Sequence, residues 1–245
     1  MRTPTARDLL QAWDDGRRAS SAERAMLLVK TVRDESAAAL SAMPLGWVSA
    51  RLLELRAALI GPRLTAIVNC HACDAVIETG LDVRELTSLS PSDSAADPPA
   101  PIEVNDGGYR LFVRLPACRD LVSLRVSSSE PAGCLARALV SRAERSGTAV
   151  AAGELPHTAH AAIERAVLDH DPLAHVELAL ACPQCGTQWA EPLHVFEFVW
   201  IEVSAHVERL FGEVARLAWA FGWSEADILS LSDARRVRYL ELLRS

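Results

Sequence analysis

Aromatic residues make up only 5% of this 245-residue chain, and most of its apolar half is Ala, Leu and Val. That balance argues against an all-β sandwich and for a chain dominated by helices. Positive charge is also short: 25 Lys and Arg against 32 Asp and Glu leave a formal net charge of −7. A chain of that sign is repelled by phosphate backbones and anionic bilayers, which argues against nucleic acid or a membrane as the main partner. No apolar run follows Arg2 in "MRTPTARDLLQAW", and no later segment offers the roughly 18 uninterrupted apolar residues of a membrane span. Neither a secretory leader nor a spanning helix is expected, and the expected place of synthesis and folding is the cytoplasm. A Gly-rich phosphate loop, a nucleophile elbow and an H-E-x-x-H pair are missing too. Those absences argue against an enzyme and against a small-molecule substrate.

Six cysteines in a long chain without a leader do not suggest a disulfide scaffold. Four of them form two C-x-x-C pairs, Cys70 and Cys73 in "AIVNCHACDAVIE", and Cys182 and Cys185 in "ELALACPQCGTQW". The likeness extends past the cysteines. The shift that carries Cys182 onto Cys70 lays Val176, Leu178 and Leu180 over Leu64, Ala66 and Val68, and Leu193 and Val195 over Leu81 and Val83. Each copy reads as strand, cysteine turn, strand, so each hairpin carries half a site. Two such turns face to face supply four thiolates in a tetrahedron, the closed arrangement that structural zinc prefers. One structural zinc ion is therefore the expected cofactor, with disulfides or inert thiols as the alternative. A metal closed in by four thiolates keeps no position for water, so it would act as a staple and not as a catalyst. Cys118 and Cys134 have no such partner and read as small buried hydrophobes.

Around these hairpins the pattern is mostly helical. Thr5 with Asp8 and Ser20 with Glu23 are helix-start signals. Val48, Leu52, Leu55 and Leu59 mark a third helix stopped by Gly61-Pro62. "SPSDSAADPPAPIE" is too polar to pack and reads as a loop, and "IEVNDGGYRLFVRLP" reads as a hairpin around an Asn-Asp-Gly-Gly turn. "CLARALVSRAER" and "TAHAAIERAVL" are the best helical pieces of the middle. A long amphipathic helix is expected after Phe196, with Val199, Val203, Leu210, Val214 and Leu217 near one face and Gly222 near its end, followed by a final helix pair. The expected fold is α+β and mainly helical: two pseudo-symmetric C-x-x-C β-hairpins form a zinc-ribbon-like module flanked by N- and C-terminal helices. The expected segments are a helical region at 1–61, the first hairpin at 62–88, a loop at 89–101, a central hairpin with helices at 102–172, the second hairpin at 173–196 and C-terminal helices at 197–245.

Three other groups are weighed against plainer roles. His157, His160, His170 and His175 are a metal-like cluster, but without well-placed carboxylates they read as surface or capping histidines. Arg235, Arg236 and Arg238 read as a solvated helix face. Trp200, Trp219, Phe221, Trp223 and Tyr239 are candidate anchors for a partner, most of them expected to pack in the core.

Several stretches together carry a resemblance: "ARDLLQAWDDGRRASSAERAMLLV", "RLLELRAALIGPRLTAIVNCHAC", "VELALACPQCGTQW" and "FEFVWIEVSAHVERLFGEVARLAWAFGWSEADILSLSDARRVRYLELL". They resemble the T-even-type phage baseplate proteins encoded with extracellular contractile injection systems. The resemblance spans nearly the whole chain, except for the Ser/Pro/Asp loop and "SSSEPAGCLARAL". It implies a structural or assembly role in the baseplate of a contractile phage tail-like particle, with other baseplate, hub or wedge proteins as partners. It brings no catalytic residues; of the site residues only Cys70, Cys73, Cys182 and Cys185 carry over. A zinc-ribbon module that binds nucleic acid, or serves as an adaptor, is the alternative.

Overall fold

The computed structural model describes residues 2–90, 99–124 and 131–243. Helix α1 (Ala6–Gly16) opens with a capping box in which Thr5 and Asp8 satisfy each other's backbone amides, and Ser20 and Glu23 do the same for α2 (Ser21–Lys30). After the short α3 (Ala37–Ala42), helix α4 (Leu45–Leu59) is buried on almost every side, including Ser49, Arg51 and Arg56. The stripe expected from Val48, Leu52 and Leu55 is therefore only part of the contact, because α4 packs against α2 on one side and on another against α9 (Val195–Phe221). This main core also takes in α10 (Glu225–Ser230), α11 (Asp233–Leu242) and Leu64, Val83, Val176 and Leu193 at the bases of the two cysteine hairpins.

Both hairpins are antiparallel pairs. Strand β1 (Arg63–Asn69) pairs with β2 (Val76–Asp82), with Leu64 opposite Leu81 and Val68 opposite Ile77. Val83 does not continue the strand, as its alternation suggested; Asp82 accepts from the Arg84 amide and starts the short α5 (Val83–Thr87) there. A second core lies under β3 (Ile102–Asp106), β4 (Tyr109–Val113) and β5 (Val140–Arg145). These form one antiparallel sheet with the two-residue β6 (Thr148–Ala149), covered by α8 (His157–His170). The hairpin at the Asn-Asp-Gly-Gly turn is present. The helix expected over "CLARALVSRAER" is present only in its first half, as α7 (Pro131–Leu139). From Val140 the chain turns to strand because Ala143 pairs with Leu111 and closes this second core. The polar segment 91–98, at the centre of the expected loop, lies outside the described residues.

The internal likeness reaches well past the hairpins. The offset that puts Cys182 on Cys70 also puts α6 (Cys118–Leu124) on α1, α8 on α4, β7 (Val176–Ala181) on β1, β8 (Gln188–Leu193) on β2 and the start of α9 on α5. Local detail repeats as well. Asp8 accepts from the Thr5 amide at 2.9 Å, and Asp120 accepts from the Ala117 amide at 2.9 Å. Pro44 and Pro156 stand before α4 and α8, neither with a side-chain cap. The chain is thus built from two copies of one helical and hairpin unit, and the copies differ where α2 and its following loop correspond to α7 and the β5–β6 hairpin, and where the short α5 corresponds to the long α9.

The uncapped start of α4 is served from the other copy. Asp171, fully buried just after α8, accepts from the Gly46 amide at 2.9 Å. A Cβ at position 46 would lie 1.7 Å from the Asp171 Oδ1, so only glycine allows this approach. Burial raises the Asp171 pKa, and the Gly46 amide only partly offsets it. Asp171→Ala is expected to cost about 1–3 kcal/mol, since it strands a buried amide, whereas Asp171→Asn keeps an acceptor and costs under about 1 kcal/mol. The pH dependence has a defined sign. A raised folded pKa adds stability that is fully present below the unfolded value and lost as pH rises through the folded one. Wild type should therefore be most favoured over Asp171→Asn in acid, and urea titrations of both proteins across the carboxylate range check this.

Candidate metal centre

Each cysteine pair sits in a tight turn that its own backbone closes. The Cys70 amide donates to the Ala75 carbonyl at 2.9 Å and the Asp74 amide to the Cys70 carbonyl at 2.9 Å. In the second turn Cys182 donates to Thr187 at 2.8 Å and Gly186 to Cys182 at 2.9 Å. To close so tightly the residue after the second cysteine must turn left-handed: Asp74 has φ of 56° and Gly186 of 73°. Glycine reaches that region freely, and Asp is among the side chains that tolerate it. The Ala72 amide also points at the Cys70 sulfur, 3.5 Å away, which stabilises negative charge there.

The two turns meet. Cys70 Sγ lies 3.6 Å from Cys185 Sγ, Cys73 Sγ lies 3.7 Å from Cys182 Sγ, and all four sulfurs fall within 4.8 Å of one another. A disulfide needs about 2.05 Å, so these are four free thiols. A tetrahedron with metal–sulfur bonds of about 2.3 Å has edges of about 3.8 Å, close to the two shortest separations. The cluster can therefore hold a metal ion, and each turn contributes one buried and one exposed sulfur, Cys70 with Cys73 and Cys182 with Cys185. Without a metal the protons are unevenly shared. Thr187, through its side chain and its amide, holds the Cys185 thiol down to about 6. At Cys73 the Ala75 amide acts in the same direction, but the sulfur of Cys185 and the other sulfurs outweigh it and push the thiol up to about 12.

Side chains beyond the sulfurs join the hairpins to each other. The His71 ring lies 5.5 Å from the Trp189 ring, and its Nε2 is 3.5 Å from Glu191, which also accepts from the Trp189 indole at 3.1 Å. The sequence does not mark Trp189 or Glu191 as partners of the site; His71, between Cys70 and Cys73, and Thr187, two residues after Cys185, hint at it by position alone.

The other sequence candidates separate from this centre. His157 and His160 lie edge to face, 5.5 Å between centroids, His170 contacts the Ala166 carbonyl and His175 contacts Glu177. Among the described residues, only the four cysteines converge with metal-binding spacing. Cys118 is fully buried, and burial pushes its thiol up to about 12. Cys134 is only half-buried, 3.4 Å from Arg137, so it departs from the expected buried role. Iodoacetamide applied to the native protein is expected to label Cys134 well before Cys118, with the order read by peptide mass spectrometry. Arg236 does not lie on a solvated face: it is buried and paired with Glu213 and Asp233. Among the aromatic candidates Trp200 is buried, Phe221, Trp223 and Tyr239 form one ring cluster, and Trp219 stands 92% exposed. No helix among the described residues is long and apolar enough to cross a membrane. No protein-family model matches this chain, and neither a curated protein nor a solved structure shows significant similarity to it.

Proposed function

We propose that this protein is a non-enzymatic structural or assembly component of the baseplate of a contractile phage tail-like particle, and that four of its six cysteines, Cys70, Cys73, Cys182 and Cys185, hold one structural zinc ion. The observation that carries the reading is the convergence of four cysteine sulfurs, two from each copy of one unit. Cys70, Cys73, Cys182 and Cys185 come from segments far apart in the chain, and their spacing leaves a bound ion no open position. Zinc fits an all-thiolate tetrahedral set better than magnesium or calcium, which prefer oxygen. The ion's contribution is cohesion, since it fixes the tips of two hairpins whose bases are already held by the main core. The resemblance, which spans nearly the whole chain, supplies the setting, the baseplate of a contractile particle.

Two measurements test the two parts of the proposal. Elemental analysis of the purified full chain is expected to find one zinc per chain, and none in Cys73→Ser; iron or no metal would overturn the zinc assignment. Contractile particles sedimented from the native cells are expected to carry this chain at a fixed ratio to sheath and tube proteins, as read by quantitative mass spectrometry. Absence from both mature particles and assembly intermediates would overturn the baseplate assignment.

A further inference from the structure

Helix α9 turns Val199, Val203, Val207, Leu210, Val214 and Leu217 to the main core. The opposite face of such a helix normally carries charge. Here it carries Ile201, Ala205, Glu208, Gly212, Ala215 and Trp219, at spacings of four, three, four, three and four. All six are exposed, Ile201 at 65% and Trp219 at 92%. Glu208 is the only charge on this line, with Arg209 and Arg216 exposed along its flank, and the alternating spacing is that of a seam between two coiled helices. The seam is specific to the second copy of the unit: α9 runs for 27 residues where α5 runs for 5.

We propose that this face joins two copies of the chain through an antiparallel α9–α9 pair. The order of sizes reads the same in both directions, bulky at the ends and mostly small between. With the pair centred on Leu210, Ile201 meets Trp219 of the second copy, Ala205 meets Ala215, and Glu208 meets Gly212. A seam from Ile201 to Trp219 spans about 27 Å of helix at about 1.5 Å per residue. Charge fits as well as size. Beside Gly212, α9 and α11 leave a groove of about 380 Å³ lined by Arg209, Arg216, Val237 and Leu240. A Cβ at position 212 would meet nothing within 4 Å. The acids on the same groove are already engaged, Glu213 with Arg236 and Glu241 with Arg238. An incoming Glu208 therefore enters open space between two guanidinium groups. Parallel pairing would instead set Glu208 against Glu208, so charge selects the antiparallel direction. The proposal does not depend on the metal centre.

Sedimentation velocity of the full chain over a concentration series tests it. A monomer–dimer equilibrium is expected, and Gly212→Glu, which places a carboxylate where Glu208 arrives, should raise the dimer Kd at least ~30-fold. Glu208→Arg should weaken the dimer likewise, and adding Arg209→Glu and Arg216→Glu should restore it. These positions face solvent, so circular dichroism melts of the monomers should not fall, and Gly212→Glu, which removes a glycine from inside a helix, should melt somewhat higher. For direction, Ala205→Cys and Ala215→Cys chains are mixed and treated with a short bismaleimide, and mass spectrometry should find position 205 linked to position 215 across chains. A chain that stays monomeric up to roughly 100 μM, or a dimer indifferent to Gly212→Glu, overturns the proposal. Links of 205 to 205 and of 215 to 215 overturn the antiparallel geometry.

Discussion

Cys70→Ser and Cys182→Ser are expected to destabilise the protein sharply and to the same extent, although they lie in different halves of the chain. Both sulfurs are buried at the bases of their turns, and each forms one corner of the same cluster. Removing either leaves three ligands and an incomplete tetrahedron. Apparent binding energies of structural zinc in finger peptides are about 10–16 kcal/mol, comparable with the whole stability of a domain, about 5–15 kcal/mol. A loss of about 5 kcal/mol per substitution is a reasonable scale, enough to remove most of the cooperative thermal transition near room temperature. Cys118→Ser is the control. It also buries a hydroxyl in place of a thiol, in the main core, and should cost only about 1–2 kcal/mol because no ligand is lost. A chelator should lower the melting temperature of wild type and Cys118→Ser but leave the two ligand variants where they are. If Cys182→Ser unfolded the protein while Cys70→Ser were harmless, the shared site would be wrong.

The parts of this structure that were legible in the sequence are those set by neighbours along the chain. The boxes at Thr5 with Asp8 and Ser20 with Glu23, the hairpin at Asn105 to Gly108 and the left-handed end of α9 at Gly222 each depend on a few adjacent residues. So do the two cysteine turns, and the repeat of their flanking strands was enough to bring them together. The fuller duplication was harder to see because helices keep their positions while their residues change. Leu45 to Leu59 and His157 to His170 share an offset and a leading proline but little side-chain identity. Strand β5 is hidden in the sequence for a different reason. Val140 to Arg145 continues a good helical pattern, and only the pairing of Ala143 with Leu111, far back in the chain, makes it extended. The burial of Arg236 is hidden in the same way, since the partner that lets it be buried, Glu213, lies on another helix. Asp171 on Gly46 is the extreme case, a helix cap supplied from the other copy of the unit.

Arg56→Ala should be the most damaging single change away from the cysteines, at about 3–5 kcal/mol. Its side chain is 3% exposed at the end of α4, where three elements meet. Nε donates to Glu202 Oε2 at 2.7 Å and Nη2 to Glu202 Oε1 at 2.9 Å, a bidentate pair that ties α4 to α9. Nη1 donates to the Arg63 carbonyl at 2.7 Å and to the Gly61 carbonyl, which ties the start of β1 to the same point. The guanidinium therefore anchors the base of the first hairpin, at the opposite end from the sulfurs at its tip. Arg56→Lys is not a mild change here, because one ammonium cannot span both carboxylate oxygens and two carbonyls; about 2–3 kcal/mol is expected. Glu202→Gln should cost a similar amount, since it leaves the guanidinium buried with only part of its charge balanced. Arg56→Met together with Glu202→Leu removes both charges, so its cost should fall well below the sum of the single substitutions. Urea midpoints for the four corners of that cycle measure the coupling. Additive single effects would mean that the pair contributes no more than an exposed ion pair such as Arg84 with Asp82, and that the hairpin base is held by apolar packing alone.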